Sequence, residues 1–416
     1  MEPADLPKRI LFVINSLAGG GAERVMATLL RHSQAWHGRY TLSLALLDTE
    51  PAAYAPPDWM PVHQLDARGS LARSVLQLRS LVSRTEPDLI LSFLTRANVS
   101  ACLATAGTGV PFIASERVNT DAHLARGPSG MASRLLVRLT YPRARHVLAV
   151  SQGVADDLVR LFAVPRERVS AVANPVDGSA IRARGAEPGT AVPEAPYVVA
   201  MGRLTANKNF PLLIDAFARA DIPGRLLILG EGPERGALES RIAALGMADR
   251  ILLPGFAANP FPLIAGADCY VLPSNAEGFP NGLVEAMALG VPVISTDCPS
   301  GPSEILAGRP PGGVGGLVCA EHGLLIPCDD REALAAGLRR YRDPALRAHY
   351  ADAARARADD FSVEASVARY WTVMESALEG VTIPSPGVQA PRRATTPISS
   401  AVANQGDVSP CIDAPR

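Results

Sequence analysis

The chain has 416 residues, of which 48% are apolar and 19% charged, and its formal net charge is −1. This length exceeds what one hydrophobic core usually supports, so two domains are expected, and the apolar content excludes an intrinsically disordered chain. A nearly neutral charge with only 5% aromatic residues disfavours nucleic-acid binding. Residues 1–175 hold 19 basic and 14 acidic side chains, a net charge of +5, while the remainder carries −6. The front half is therefore the part suited to an acidic partner.

Short apolar strands alternate with helices through this front half. Strands are predicted at residues 9–15, 40–47, 88–91, 110–114, 146–150 and 169–172, with a helix over 22–37 after the first. The N-terminal apolar run lacks a signal-peptide cleavage pattern, and no stretch reaches the roughly 18 apolar residues of a membrane span. The six cysteines show neither a CxxC pair nor a zinc-type spacing, so we expect reduced thiols in a cytoplasmic protein.

A glycine-rich turn, SLAGGGAER, follows the first strand and includes Gly20 and Gly21. Three glycines between a strand and a helix let the backbone approach a ligand without Cβ clashes. The spacing is not GxGxxG, and no clear acidic residue follows at the distance of a ribose-binding carboxylate, which disfavours a dehydrogenase. A tight turn without a ligand is the alternative that the glycines alone leave open.

A basic stretch covers residues 126–145, where arginines alternate with leucine and valine. Its arginines are Arg126, Arg134, Arg138, Arg143 and Arg145. A basic amphipathic helix of this kind can lie on an anionic membrane surface. An ordinary solvated helix face explains the composition equally well, and both interpretations stay open.

The composition changes at residues 181–196, where the string RARGAEPGTAVPEAP indicates a linker. Strands are predicted again at 197–201, 225–229, 251–253, 268–272 and 292–295. Such alternation implies parallel sheets covered on both faces, hence two Rossmann-like α/β domains at 1–180 and 197–361 with the ligand site in the cleft between them. Residues 362–380 form a predicted helix with an apolar face, and 382–416 are expected to be disordered because they lack core-forming residues.

Two cations follow the first strand of the back domain, Arg203 and Lys208. An arginine at the end of a strand and a lysine five residues later can bracket a diphosphate, the first as a planar fork and the second as a point charge. The chain has only two lysines, Lys8 and Lys208, so a lysine at this position is a weak additional indication of phosphate binding.

Two carboxylates, Glu277 and Glu285, flank a turn that leads into a short helix. A helix start leaves about four backbone N–H groups without partners and so suits a phosphate. Glu285 is predicted in the first helical turn, where it can accept hydrogen bonds from a sugar diol, and Glu277 in the loop ahead. The pattern indicates a nucleotide-sugar pocket, although glutamates at helix starts are often structural.

The complete string SNAEGFPNGLVEAMALGVPVISTDCPSGPSEIL, at residues 274–305, closely resembles the glutamate–seven residues–glutamate signature of glycosyltransferase family 4. That family consists of retaining enzymes with the two-domain GT-B fold, and the resemblance extends over nearly the whole chain ahead of its tail. It implies that Glu285 holds the donor ribose, that Glu277 contacts the donor sugar and that Arg203 and Lys208 stabilise the leaving diphosphate. It further implies that the remaining motif residues contact the donor and that helix 362–380 packs back on the N-terminal domain. The additional donor-binding candidates are Gly20, Gly21, Phe279, Pro280, Asn281 and Gly282.

The chain departs from the family pattern after the strand at 110–114. Many members have a histidine there, whereas this chain reads IASERVNTDAH, with Glu116 and Arg117 as acceptor-side candidates and His123 seven residues beyond Glu116. Both this string and TDCPSGPSEIL resemble a sub-branch that elongates bacterial oligosaccharides, often from UDP-N-acetylhexosamines.

The resemblance as a whole implies a metal-independent, cofactor-free hexosyltransferase. It would move a sugar from a nucleotide-diphosphate donor, UDP-hexose or UDP-N-acetylhexosamine, to a glycan or polyprenyl-linked oligosaccharide in cell-envelope polysaccharide or lipopolysaccharide synthesis. Such an enzyme would be cytoplasmic or peripheral on the inner face of the membrane. The alternatives are a nucleotide-sugar epimerase and a non-catalytic nucleotide-sugar-binding protein on the same fold.

Overall fold

The structure, a computed structural model, describes residues 6–117, 128–188, 193, 196–381 and 383. The chain divides into two compact units. The first comprises the described residues through Pro175 together with those from Val363 onward, and the second runs from Val176 to Ser362. Among the described residues, no helix combines the length and the apolar character needed to cross a membrane.

The first unit is built on a parallel sheet of seven strands in the order β3-β2-β1-β4-β5-β6-β7. The strands are β1 (Arg9–Ile14), β2 (Thr41–Leu46), β3 (Val62–Gln64), β4 (Leu89–Phe93), β5 (Phe112–Glu116), β6 (His146–Ala149) and β7 (Val169–Ala171). The helices between them are α1 (Gly21–His32), α2 (Leu71–Thr85), α3 (Thr95–Ala104), α4 (Pro128–Thr140) and α5 (Gln152–Phe162). Strands β4, β5 and β6 are buried along their whole length, as a sheet covered on both faces requires.

The second unit has a sheet of seven strands in the order β10-β9-β8-β11-β12-β14-β13. The strands are β8 (Tyr197–Met201), β9 (Arg225–Leu229), β10 (Ile251–Gly255), β11 (Cys269–Leu272), β12 (Val293–Thr296), β13 (Val318–Ala320) and β14 (Gly323–Ile326). The helices are α6 (Gly178–Gly185), α7 (Phe210–Ala220), α8 (Arg235–Ala244), α9 (Phe261–Ala265), α10 (Asn281–Ala288), α11 (Pro302–Ala307), α12 (Arg331–Arg340) and α13 (Pro344–Asp359). All pairs are parallel except the β13–β14 hairpin.

The last helix, α14 (Val363–Glu379), belongs to the first unit. Trp371 is fully buried there; its ring stacks on Trp36 with centroids 4.6 Å apart, and its indole N–H donates to Ser33 Oγ at 3.0 Å. The aromatic face that the sequence indicates at 362–380 is therefore part of the core formed by β1, β2 and β4.

The α/β fold class is confirmed, and the structure differs from the expected elements in detail. Three short strands, β3, β13 and β14, were not predicted. Residues 178–185 form α6 although part of them was expected to be linker, because the Asp177 carboxylate accepts the Ala180 N–H at 2.9 Å and Ile181 is buried. Four cysteines, Cys102, Cys269, Cys298 and Cys328, are free thiols in the structure.

Among the parallel strands of each sheet, the strand order reverses at one place. In the first sheet this switch point lies between β1 and β4, and in the second between β8 and β11. Helices that follow such neighbouring strands leave in opposite directions and open a crevice beyond the carboxyl ends, where ligands of this architecture bind.

Candidate functional site

The switch point of the second sheet brings together two of the predicted site residues. Lys208 ends a short 3₁₀ turn after β8, and Glu277 lies in the loop after β11. Lys208 Nζ donates to Glu277 Oε1 at 2.6 Å, across 69 positions of sequence. The lysine side chain is 22% exposed and the glutamate side chain 9%, so the ion pair is largely shielded from water.

The loop that carries Arg203 and Lys208 is held down by the loop after β9. The Leu204 N–H donates to Glu231 O at 2.9 Å. A Cβ added at Gly230 would lie 2.1 Å from Gly202 O, and one at Gly232 would lie 2.3 Å from Leu204 O. Glycine is therefore required at both positions for the two loops to meet. Arg203, the other predicted cation, is exposed beside this contact.

The Glu277 loop is supported by the segment that follows β12. The Ser300 hydroxyl donates to the backbone carbonyl of Glu277. Gly301 has a φ of +96°, and a Cβ there would lie 2.6 Å from Pro280 Cδ. Phe279 is buried with its ring edge-on to Phe361, 5.5 Å between centroids. We did not predict that Ser300 and Gly301 support this loop, although both lie in the PSGP string that follows the glutamate motif.

Helix α10 begins at Asn281, so Glu285 is its fifth residue and lies in the second turn. The expectation that it lies in the first turn is wrong, because Pro280 occupies the N-cap position. Three of the first four N–H groups already have backbone acceptors: Asn281 donates to Phe279 O at 3.0 Å, and Leu283 and Val284 donate to Pro280 O at 3.0 and 3.4 Å. A phosphate at this helix start would therefore meet fewer unpaired N–H groups than the roughly four that are expected at the start of a helix.

Tyr270 lies close enough to both glutamates to interact with them electrostatically. Burial raises the pKa of Tyr270, and the carboxylates of Glu285 and Glu277 raise it further, so the phenol stays protonated. Its hydroxyl donates to Met201 O at 3.3 Å, and a Cβ added at Gly282 would lie 2.6 Å from this oxygen. Gly282 therefore lets α10 approach the end of β8. Glu285 itself is only 5% exposed.

In the first unit, the glycine turn leads directly into α1. Gly20 is the N-cap residue with extended backbone, Gly21 is the first helical residue, and a Cβ at Gly20 would lie 2.4 Å from Glu23 Oε2. The carboxylate of Glu23 thus folds over the exposed turn. At the nearby end of β1, the side-chain oxygen of Asn15 is buried without a hydrogen-bond partner.

Glu116 and Arg117 were expected on the acceptor side, but both side chains are buried within the first unit. Glu116 has no exposed area and accepts hydrogen bonds from Tyr141 Oη and from Thr95 Oγ1, the latter at 3.2 Å. It closes a strand that is buried throughout, so its carboxylate points into protein.

Arg117 donates to Tyr370 Oη and to Asn174 Oδ1, and burial lowers its pKa. Its guanidinium also lies over the ring of Phe93, 5.4 Å from the centroid. The two residues link α14 and the segment after β7 to the sheet rather than offering a binding surface. His123 and Arg126 lie outside the described residues.

The two doubly wound α/β sheets and their switch points define the class of the fold, which is GT-B. The structure of HepE from Anabaena in complex with UDP covers 88% of this chain and all of its own with a TM-score of 0.71 at 22% identity. A glycosyltransferase from Rickettsia africae covers 89% of this chain and 99% of its own with a TM-score of 0.72 at 16% identity. At such identities the likeness shows the fold.

Sequence comparisons define the family. The model described as Glycosyltransferase Family 4 matches residues 19–179, and the model described as Glycosyl transferases group 1 matches residues 195–343. The chain belongs to these glycosyltransferases.

Among its relatives is the N-acetylgalactosamine-N,N'-diacetylbacillosaminyl-diphospho-undecaprenol 4-alpha-N-acetylgalactosaminyltransferase of Campylobacter jejuni. The two are 28% identical over 361 residues, which is 84% of this chain and 94% of the relative. The lipopolysaccharide core biosynthesis glycosyltransferase LpsE of Rhizobium meliloti is 27% identical over 285 residues, 67% of this chain and 72% of LpsE.

Proposed function

We propose that this glycosyltransferase moves a hexose or N-acetylhexosamine from a UDP-sugar to a lipid-linked glycan, with retention of the anomeric configuration. The observation that carries the proposal is the shielded pair of Lys208 and Glu277 at the switch point of the second sheet. The UDP bound to HepE and the undecaprenol-linked substrate named for the Campylobacter enzyme support the choice of donor and acceptor.

In this mechanism the ion pair separates when the donor binds. Lys208, together with the exposed Arg203, moves to the diphosphate, and Glu277 accepts hydrogen bonds from hydroxyl groups of the donor sugar. As the bond between the anomeric carbon and the phosphate oxygen breaks, negative charge grows on the diphosphate, and the two cations stabilise it. Glu285, deeper beside Tyr270, holds the ribose diol.

Retention follows from attack on the same face from which the diphosphate leaves. The acceptor hydroxyl forms the new bond to the anomeric carbon, and its proton goes to the departing phosphate oxygen, so no nucleophilic side chain is consumed. Lys208 and Arg203 then stabilise the negative charge of the product diphosphate. This assignment rests on the family resemblance together with the cations at β8.

An exposed aromatic side chain suggests where the nucleobase lies. Phe256, directly after β10, is 80% exposed. Strand β10 is three positions from β11 in the sheet, roughly 14 Å at the usual spacing of parallel strands. With the sugar at Glu277, this distance suits the far end of an extended nucleotide sugar, and the Phe256 ring offers a stacking face to the base.

A peripheral contact with the cytoplasmic membrane would bring a lipid-linked acceptor within reach. Helix α4 exposes three apolar side chains spaced by four residues, Met131 at 69%, Leu135 at 57% and Leu139 at 50%, which we call the membrane stripe. Arg138 is exposed beside it, and its guanidinium donates to Leu161 O at 3.0 Å. An apolar stripe flanked by arginine is the composition of a helix that lies in the membrane interface.

The function is tested by incubating the purified protein with a panel of UDP- and GDP-sugars and a polyprenyl-diphosphate-linked oligosaccharide. We expect a longer product with one donor, and an anomeric coupling in its proton NMR spectrum that matches that of the donor. Inverted product would refute the retaining mechanism. Donor binding without transfer would favour the non-catalytic alternative, whereas the relatives, which are transferases, give the epimerase alternative no support.

The membrane contact is tested separately by sedimentation with anionic vesicles. The double variant Leu135→Ser/Leu139→Ser should lose vesicle binding and keep its activity on a water-soluble acceptor. Leu76→Ser is the matched control, because Leu76 is 68% exposed on α2 of the same unit. Equal sedimentation of the double variant and the control would refute the membrane stripe.

A further inference from the structure

A pocket of about 560 Å³ lies in the first unit, at the end of the sheet opposite to the glycine turn. It is bordered by segments that lead into the amino ends of β5, β6 and β7, whereas the glycine turn follows the carboxyl end of β1. Its charged lining consists of Arg143, Arg145, Arg168 and Glu167. Arg143 and Arg145 also belong to the basic stretch at residues 126–145.

The pocket is electropositive because its arginines are not neutralised by neighbouring carboxylates. Arg168 Nη1 donates to the carbonyl of Pro142 at 3.3 Å, and in the described part of the chain no carboxylate pairs with Arg143, Arg145 or Arg168. With Glu167 as the single acid, the lining carries a net charge of +2. Three arginines near one cavity repel one another, and an anion between them would relieve this repulsion.

His146 also lines the pocket but adds no charge at neutral pH. Burial lowers the pKa of His146 to about 4, and its Nε2 is hydrogen-bonded to Ser170 Oγ at 2.7 Å. The positive charge therefore comes from the arginines and does not depend on pH in the physiological range.

The arginines that line the pocket lie close in sequence to the membrane stripe. Leu139 is the last exposed apolar residue of α4, and Arg143 ends the 3₁₀ turn that follows directly. Arg168 reaches this same turn through its bond to Pro142. The pocket wall at Arg143 thus begins four residues beyond Leu139, the last side chain of the membrane stripe.

We propose that this pocket binds a phosphate group, supplied by the headgroup of an anionic phospholipid when α4 lies on a bilayer. Arginine suits this role because its planar fork can donate two parallel hydrogen bonds to phosphate oxygens. The choice of a lipid as the source rests on the proposed membrane contact. The binding of phosphate at this edge is independent of the sugar-transfer site.

The test compares Arg143→Gln/Arg145→Gln with wild type by calorimetric titration. The probes are inorganic phosphate and a short-chain phosphatidylglycerol kept below its micelle concentration, with the matching phosphatidylcholine as the neutral lipid. We expect wild type to bind the anionic lipid and the variant to bind it at least roughly tenfold more weakly, the loss expected when charge-assisted hydrogen bonds are removed. Arg73→Gln/Arg84→Gln, with two exposed arginines of α2 replaced, is the control for net charge.

The outcomes separate this site from the other proposals. Inorganic phosphate that binds as tightly as the anionic lipid would identify a free phosphate as the ligand, and equal loss in the control would refute the pocket. Equal lipid affinity of wild type and the Arg143/Arg145 variant would also refute it. The Leu135/Leu139 variant should keep its affinity for the short-chain lipid. Transfer to a water-soluble acceptor should be unchanged in the pocket variant, so failure of the proposed function would be seen independently.

Discussion

The pair formed by Lys208 and Glu277 can be tested by a double-mutant cycle of Lys208→Met, Glu277→Gln and their combination. Removing one partner of a fully buried ion pair costs about 3–5 kcal/mol, because the other charge is left without compensation. The exposed fractions here are 22% and 9%, so water compensates in part. We expect each single variant to lose about 2 kcal/mol of unfolding free energy, with the double variant losing about 1–2 kcal/mol less than the sum.

The same variants should behave differently in catalysis. Lys208→Met removes a cation from the departing diphosphate, and kcat should fall by about 10²–10³, equivalent to about 2.7–4 kcal/mol of transition-state stabilisation. Because kcat is measured on folded enzyme, the loss of stability does not account for this fall. Affinity for UDP should fall as well. Glu277→Gln should lower kcat while leaving UDP affinity close to wild type, since its partner in the complex is the sugar.

Urea unfolding, initial rates and calorimetric titration with UDP provide the measurements. Lys8→Met is the matched control, because Lys8 is the other lysine of the chain and its Nζ donates to a backbone carbonyl, Leu378 O, at 3.1 Å. A Lys208→Met enzyme that keeps more than half of the wild-type rate would refute the role of the cation. Strictly additive losses of stability would refute the pairing itself.

Three further predictions concern other parts of the chain. Glu285→Gln should weaken UDP and the intact donor by the same factor, because it removes a charged acceptor for the ribose; unchanged UDP affinity in calorimetry would place the ribose elsewhere. Gly232→Ala should lower the melting temperature and the transfer rate, since its Cβ would lie 2.3 Å from a backbone oxygen, whereas Gly236→Ala, which meets nothing within 4 Å in α8, should be neutral or stabilising. His146 has a folded pKa of about 4, below its value of about 6.5 in an unfolded chain, so stability should fall as pH falls through this window. The unfolding free energy should be about 2 kcal/mol lower at pH 5 than at pH 7.5, and His146→Gln should lack this contribution in denaturant titrations at the two pH values.

Much of the fold was predictable because buried parallel strands are continuous apolar runs. The short strands β3, β13 and β14 have little sequence signal and were not predictable. The order of the strands cannot be derived from periodicity, and only this order makes β8 and β11 neighbours. The contact between Lys208 and Glu277 therefore depended on tertiary structure, and the motif resemblance was the one signal in the sequence that pointed to it.

Two other features were not predictable from the sequence: the position of Glu285 within α10, and the burial of Glu116 and Arg117. A proline at the N-cap shifted the start of α10, and helix boundaries are rarely predictable to within one residue. Charged residues are expected at the surface, so a buried arginine becomes predictable only when its acceptors are known. For Arg117 these acceptors come from distant segments, at Asn174 and Tyr370.

The return of α14 to the first unit has a consequence for how the protein is synthesised. Trp371 completes the packing around Ser33, 338 residues earlier, so the core of the first unit cannot close until nearly the whole described chain has left the ribosome. The second unit is continuous from Val176 to Ser362 and contains all of its own strands, so it can fold first. Until α14 emerges, the nascent first unit exposes the apolar surface around Trp36 and Phe93 that this helix covers. A chain that stopped ahead of Val363 would contain the whole of the second unit, whereas the core of the first unit would lack the side chains that α14 contributes.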